Sequence, residues 1–171
     1  MNDRARPPVR PERLAALHEA LRDRTPADRA VLDALAAQVA DALGSPVALI
    51  SLVLDDAQLF VGAHGLDGWL ARTRGTPVEW SFCAHVVDSG APLDVPDPAN
   101  TPPFSGNPLV TEGIVGSYQG VPVRSPSGEV LGSLCVISEK ARALEADGWK
   151  QLEAAAAEAA RLLAPRRRAE P

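Results

Sequence analysis

Cysteine is scarce in this chain. Only Cys83 and Cys135 occur among 171 residues, with no signal-peptide stretch before them, so no disulfide framework is expected and reduced thiols are the default. Long apolar runs are missing as well. No segment approaches the ~20 uninterrupted apolar residues that cross a bilayer, and the opening MNDRARPPVRPERL has charge but no apolar core. A cytoplasmic protein with no membrane contact is the expectation. Positive charge is not in excess either: 17 Lys and Arg stand against 22 Asp and Glu, a net −5, and nothing in that balance favours nucleic acid as a partner.

What is present reads as globular. Hydrophobic residues make up 46% and charged residues 23%, and the length suits one domain with a real core. Residues 1–11, rich in proline and arginine, are expected to be a flexible lead. Residues 12–163 are expected to form the domain, and 164–171, with Arg166, Arg167 and Arg168, a solvated basic tail.

Leu14, Leu17 and Leu21 are spaced as the single apolar stripe of a short helix. Thr25-Pro26-Ala27-Asp28 then supplies a hydroxyl at the N-cap, proline at N1 and a carboxylate at N3, which predicts a capping box. The helix it opens carries Val31, Leu32, Leu35, Val39 and Leu43 and should stop at Gly44. VALISLVL, residues 47–54, predicts a buried strand that pairs across Asp55-Asp56 with a strand over 58–61. A helical turn is expected near 66–71 and a short edge strand at 92–95. The proline-rich stretch 96–113 predicts a lid or binding loop. Strands over 117–124 and 130–138 flank a Ser-Pro-Ser-Gly turn, and an alanine-rich helix over 144–163 presents Trp149, Leu152, Ala156, Ala159 and Leu163 on one face. Helices gathered at the termini around hairpins predict an α+β fold with helices on one face of an antiparallel sheet.

Seven landmarks occur in order: RLAAL, PVALISLV, SFCAHVV, VPD at 95–97, FSGNPLV at 104–110, YQGVPV at 118–123 and GEVLGSLCVIS at 128–138. Together they make the chain resemble the GAF domain family over residues 12–163. The resemblance implies a central antiparallel sheet with the terminal helices on one face and a loop-roofed ligand pocket on the other. It implies pocket or pocket-rim positions at Phe82, Cys83, His85, Asp97, Phe104, Asn107, Tyr118 and Cys135. Pro103 and Ser117 stand where related sequences commonly carry an arginine and an aromatic residue, which implies a less polar and less aromatic pocket and argues against a nucleotide-phosphate clamp.

A thiol at a helix start is more acidic than usual, which makes Cys83 the better candidate for reactivity; the plainer reading is that both cysteines are small buried hydrophobes. Cys83 and His85 sit two apart and do not converge on one helix face, and no second Cys/His pair exists, so no metal is expected. A bilin is not expected either, because Ala84 separates cysteine from histidine and only Arg124 could meet propionates across 81–124. His85 is read as a hydrogen-bonded side chain that lines the pocket or fixes a loop. Asp97 is read as a cap on the following loop in preference to a general base.

The expected function is that of a non-catalytic, small-molecule-sensing regulatory domain, with no resident cofactor. It would act in signal transduction through a protein partner or through a homodimer formed by the terminal helices, since no output domain fits within the chain. The alternatives are a thiol-dependent reductase of the free methionine sulfoxide type using Cys83 and Cys135, and an interaction module with a vestigial pocket.

Overall fold

The computed structural model describes residues 10–166. Most of the expected lead (1–9) and the Arg167 and Arg168 part of the tail lie outside the described residues. The chain enters as α1 (Pro11–Leu21), with proline at a position where no amide is needed. After Arg24 comes α2 (Pro26–Leu43). Its capping box is formed as the sequence predicts: Thr25 Oγ1 accepts from the Asp28 amide at 3.2 Å, and the Thr25 amide donates to Asp28 Oδ2 at 2.8 Å. Gly44 ends it with a left-handed φ of 59°.

Two hairpins build the sheet. The first is β1 (Val47–Val53) with β2 (Ala57–His64); the second is β5 (Ser117–Arg124) with β6 (Val130–Ser138). β1 pairs antiparallel with β6, which joins the hairpins into one layer. The short strands β3 (Gly75–Pro77) and β4 (Leu93–Val95) close the two edges, giving the order β3-β2-β1-β6-β5-β4. The sequence pattern did not announce β3, because three residues ending in proline carry no alternation to read. Between the hairpins lie α3 (Gly68–Thr73), α4 (Cys83–Ser89) and α5 (Pro108–Thr111). The proline-rich loop folds into two 3-10 turns, Pro98–Asn100 and Phe104–Gly106, followed by α5. The long C-terminal helix is α6 (Ala146–Leu163).

Alternation along β1 sorts the sheet into two faces. Ala48, Ile50 and Leu52 join Leu32, Leu35, Val39, Leu152, Ala156 and Ala159 in a core between the sheet and the terminal helices. Leu49 and Val53 face the opposite way, into a second core with Phe82, Val86, Phe104, Leu109 and Tyr118. The chain is thus an α+β fold with α2 and α6 on one face and the shorter elements on the other.

The stripe read on α1 is rotated. Leu14 is 40% exposed, and Val31 on α2 is 50% exposed, while Arg13 is completely buried. Arg13 fills the inward place because three carbonyls at the sheet end need donors. Its Nε donates to Val130 O at 2.9 Å, and its Nη2 donates to Val53 O at 2.6 Å and Leu131 O at 3.3 Å. Arg24 caps two helices at once, donating to Ala20 O at the end of α1 and to Leu162 and Leu163 O at the end of α6. Arg142 donates to Leu43 and Gly44 O at the end of α2. Arg166, read as part of a solvated tail, pairs with Asp28 at the start of α2.

Candidate ligand cavity and thiol pair

The SFCAH segment is a capped helix start. Ser81 Oγ accepts from the Ala84 amide at 3.0 Å and donates to Gln58 Oε1 at 2.8 Å, while Gln58 Nε2 donates to Thr76 Oγ1 at 2.7 Å. This buried relay pins α4 to β2 and β3 and turns Phe82 and Cys83 inward. The Phe82 ring stacks on Phe104 at 4.9 Å and on Tyr118 at 5.1 Å, so one aromatic column joins α4, the loop and β5.

Tyr118 reaches across its own strand. Its hydroxyl donates to Cys83 Sγ at 3.2 Å and lies 2.9 Å from Ser133 Oγ. The path exists because residue 120 has no side chain: a Cβ there would lie 2.4 Å from Tyr118 Oη and 2.7 Å from Ser133 Oγ. Gly120→Ala is therefore expected to expel the phenol from this network and destabilise the fold by roughly 1–3 kcal/mol, read as a lower urea midpoint at unchanged slope.

An apolar cavity of about 50 Å³ lies beside this network. Leu49, Phe60 and Tyr118 form its floor, Phe82 and Cys83 one wall, and Leu70, Leu109 and Val115 its roof. The half-buried Val47, Leu66, Ile114 and Ile137 also line it, and their partial exposure puts its mouth on their side. Gln58 and Thr76 also touch it but are bonded to each other, and no charged side chain lines it. A larger hollow of about 450 Å³ opens near the α1–α2 turn, where the guanidiniums of Arg24 and Arg74 are taken up by backbone carbonyls and Asp33.

The eight positions implied by the family resemblance separate into three groups. Phe82, Cys83 and Tyr118 wall the cavity. Cys135 is fully buried on β6, two residues from Ser133 on the same face and in the same buried cluster as Cys83. His85 and Phe104 stand behind Phe82, with their ring centroids 4.8 Å apart, and do not line the cavity. Asn107 is also outside it: its Oδ1 caps α5 through the Leu109 amide at 3.0 Å, and its Nδ2 donates to Trp80 O. Asp97 lies away from the cavity, and its carboxylate accepts from Asn100 Nδ2 at 2.8 Å. It does hold the loop, through that side-chain amide and its own carbonyl, which accepts from Thr101 Oγ1 at 2.6 Å. The reading missed Ser51 and Ser133, which face each other across β1 and β6 on the cavity side. Period-two counting from Leu49 and Cys135 would have found both.

The two thiols have divergent acidities. The neighbouring Cys135 is the largest influence on Cys83 and, with Ser51, Tyr118 and Ser133 around the sulfur, outweighs burial and brings its pKa down to about 7. The same contact, with burial added, pushes Cys135 well up. Burial, followed by the charge of the two thiols, pushes the Tyr118 phenol up. Cys83 is thus the nucleophilic member and Cys135 the proton-holding one.

This architecture is a six-stranded antiparallel sheet with two long helices on one face and a small apolar cavity on the other. A family model for the GAF domain matches residues 14–164, and the chain belongs to the GAF family. It is 37% identical over 99 residues to a cyclic di-GMP phosphodiesterase of Pseudomonas aeruginosa, a match covering 57% of this chain and 16% of that protein. The fold is similar to the GAF domain of a Coxiella burnetii phosphoenolpyruvate-protein phosphotransferase (TM-score 0.67, 15% identity, covering 88% of this chain and 92% of that one). It is also similar to a type II free methionine-R-sulfoxide reductase from Thermoplasma acidophilum (TM-score 0.64, 17% identity, covering 80% and 92%). GAF domains are common regulatory and sensory units. Among the described residues no helix is long and apolar enough to cross a membrane, and no group of three His, Cys, Asp or Glu side chains is placed to hold a metal.

Proposed function

We propose that the chain is a sensory domain that binds a small uncharged molecule in the cavity beneath α4 and α5, without chemical change to that ligand. The cavity itself carries this reading: about 50 Å³, apolar and walled by no Asp, Glu, Lys, Arg or His side chain. A nucleotide phosphate, a bilin propionate or a free amino acid would bring charge that this wall does not neutralise, and burying such charge costs several kcal/mol or more. The strands that carry the cavity on one face carry α2 and α6 on the other, so repacking around a ligand reaches the terminal helices through a single layer. Those helices act on a partner, either a second copy of the chain or a signalling enzyme. Exposed Leu14 and Val31 supply apolar surface for the first, and the likeness to part of a phosphodiesterase supports the second.

The test uses xenon, a probe that fills small dry cavities. Wild-type protein is expected to shift the xenon NMR signal saturably, and Ile114→Phe, which blocks the mouth, to abolish that shift while remaining folded. No saturable shift in wild type would sink the reading. Light scattering after size exclusion distinguishes a dimer from a monomer.

A second reading, a thiol-dependent reductase, is favoured by the meeting of Cys83 and Cys135 and opposed by the lack of any group to hold an amino acid's ammonium and carboxylate. Turnover of free methionine sulfoxide that disappears in Cys83→Ser would establish it and refute the non-catalytic reading.

A further inference from the structure

The two cysteines of this chain come from distant segments, one from a helix start and one from the central strand β6, yet both lie in one buried cluster, where Tyr118 Oη bonds the Cys83 sulfur beside Gly120, the register partner of Cys135. Their surroundings are unusual for cysteines that serve only as small hydrophobes. On the cavity side of the sheet, Tyr118 Oη and Ser133 Oγ form a hydrogen-bonded pair against the Cys83 sulfur. Ser51 Oγ, directly across from Ser133 on β1, is close to the same sulfur, fully buried and without an aligned hydrogen bond. A buried hydroxyl left over in this way is destabilising unless a further polar group engages it. An oxygen attached to the Cys83 sulfur would be such a group. The sulfur also faces the cavity, whose mouth is ringed by half-buried aliphatic side chains and whose volume suits a molecule little larger than water.

We propose that Cys83 is a site of oxidation by hydrogen peroxide entering through this cavity, and that Cys135 resolves it to a Cys83–Cys135 disulfide. The Cys83 thiolate attacks one peroxide oxygen; the S–O bond forms, the O–O bond breaks, and the departing hydroxide takes a proton to leave as water. Cys83 is then a sulfenic acid, with Ser51, Ser133 and Tyr118 around its oxygen. The Cys135 sulfur attacks the Cys83 sulfur, the S–S bond forms and the S–O bond breaks. The hydroxide released takes the Cys135 proton and leaves as a second water. Two thiols have lost two electrons, and peroxide has gained them. A small dithiol reverses the bond by exchange. The bond ties the start of α4 to β6 and so changes the cavity wall that Cys83 provides. The proposal rests on the sensory reading of the cavity and adds to it a second input.

The experiment treats the reduced full chain with hydrogen peroxide and follows it by intact mass and by non-reducing peptide mapping. Wild type is expected to lose both free thiols together, to yield a cross-linked peptide pair containing Cys83 and Cys135, and to return to starting mass with dithiothreitol. The rate should rise with pH through about 7, where Cys83 ionises. In Cys135→Ser the reaction should stop at a Cys83 sulfenic acid that dimedone traps. In Cys83→Ser, Cys135 should oxidise at least about tenfold more slowly than in wild type, since the buried partner holds its proton. Cys83→Ala and Cys135→Ala repeat the comparison if a serine variant does not fold. Oxidation of Cys83 straight to the sulfinic acid with Cys135 still free would overturn the proposal. So would cross-links only between separate chains, or thiols that resist peroxide until urea unfolds the protein. Saturable xenon binding by the reduced protein alongside any of these results would leave the sensory reading standing; its absence would refute that reading independently.

Discussion

Phe82→Ala is expected to lower folding stability by about 3–5 kcal/mol, a large share of the 5–15 kcal/mol typical of a domain. Phe82 is 3% exposed and lies in the middle of an aromatic column, 4.9 Å from the Phe104 ring and 5.1 Å from that of Tyr118. Its removal takes away buried apolar area and both stacking contacts, and the rigid strands beneath cannot close the gap. The vacated space joins the existing cavity, because Phe82 is part of its wall. The variant should therefore bind benzene, which the wild type excludes, and benzene should recover part of the lost stability in a thermal melt. A loss below roughly 1.5 kcal/mol, or no rescue by benzene, would show that the roof collapses into the site.

Arg13→Leu is expected to cost about 3 kcal/mol even though leucine adds apolar surface to a buried place, because three hydrogen bonds from a charged donor are lost. Three carbonyls at the end of the sheet, on Val53, Val130 and Leu131, accept from this guanidinium and have no other donor from α1. Losing the donor takes away the bonds that tie α1 to three carbonyls at the end of the sheet. Burial lowers the Arg13 pKa, while Asp55 and Glu129 oppose that shift, and an arginine stays protonated at every ordinary pH. Arg13→Lys should recover only part of the loss, because one ammonium cannot reproduce the planar fork. Urea unfolding measures both variants, and hydrogen exchange should show α1 opening first. A change within about 0.5 kcal/mol for Arg13→Leu would refute the latch.

Reading the sequence succeeded where local chemistry decides local structure. Thr25, Pro26 and Asp28 define the start of α2 whatever surrounds them, because the donors and acceptors of a capping box lie within one turn. Gly44 ends the same helix because a residue without a Cβ takes the left-handed conformation at little cost. The boundaries of β5 and β6 were legible from the turn residues between them and the apolar runs on either side. The family landmarks carried the antiparallel sheet and the placement of the terminal helices.

It failed where a side chain's surroundings come from distant parts of the chain. Leu14 and Val31 fit an apolar stripe by spacing, yet only the angle at which each helix meets the sheet decides which flank of the stripe stays wet. Arg13 sits beside the apolar stripe of the first helix with nothing local to mark it as buried, and its partners are carbonyls on strands that come much later in the sequence. His85, Asp97, Phe104 and Asn107 fall in the right motifs, but the loop turns back on itself. Asn107 and Asp97 satisfy the loop's own polar groups, and Phe104 and His85 back Phe82 instead of facing the cavity.

The sequence by itself determined the α+β class, the helix caps, the two hairpins, the family and the chemical kind of each candidate side chain, because these follow from periodicity, turn chemistry and motif order. Only the tertiary structure decided that the cavity is small and free of charge, and that Cys83 meets Cys135, Tyr118 and Ser133 at its wall. The reason is physical. Sequence spacing specifies which way a residue points on its own element, whereas a shared site depends on the register between β5 and β6 and on how deeply α4 settles onto them. Both are fixed by packing summed over the whole core.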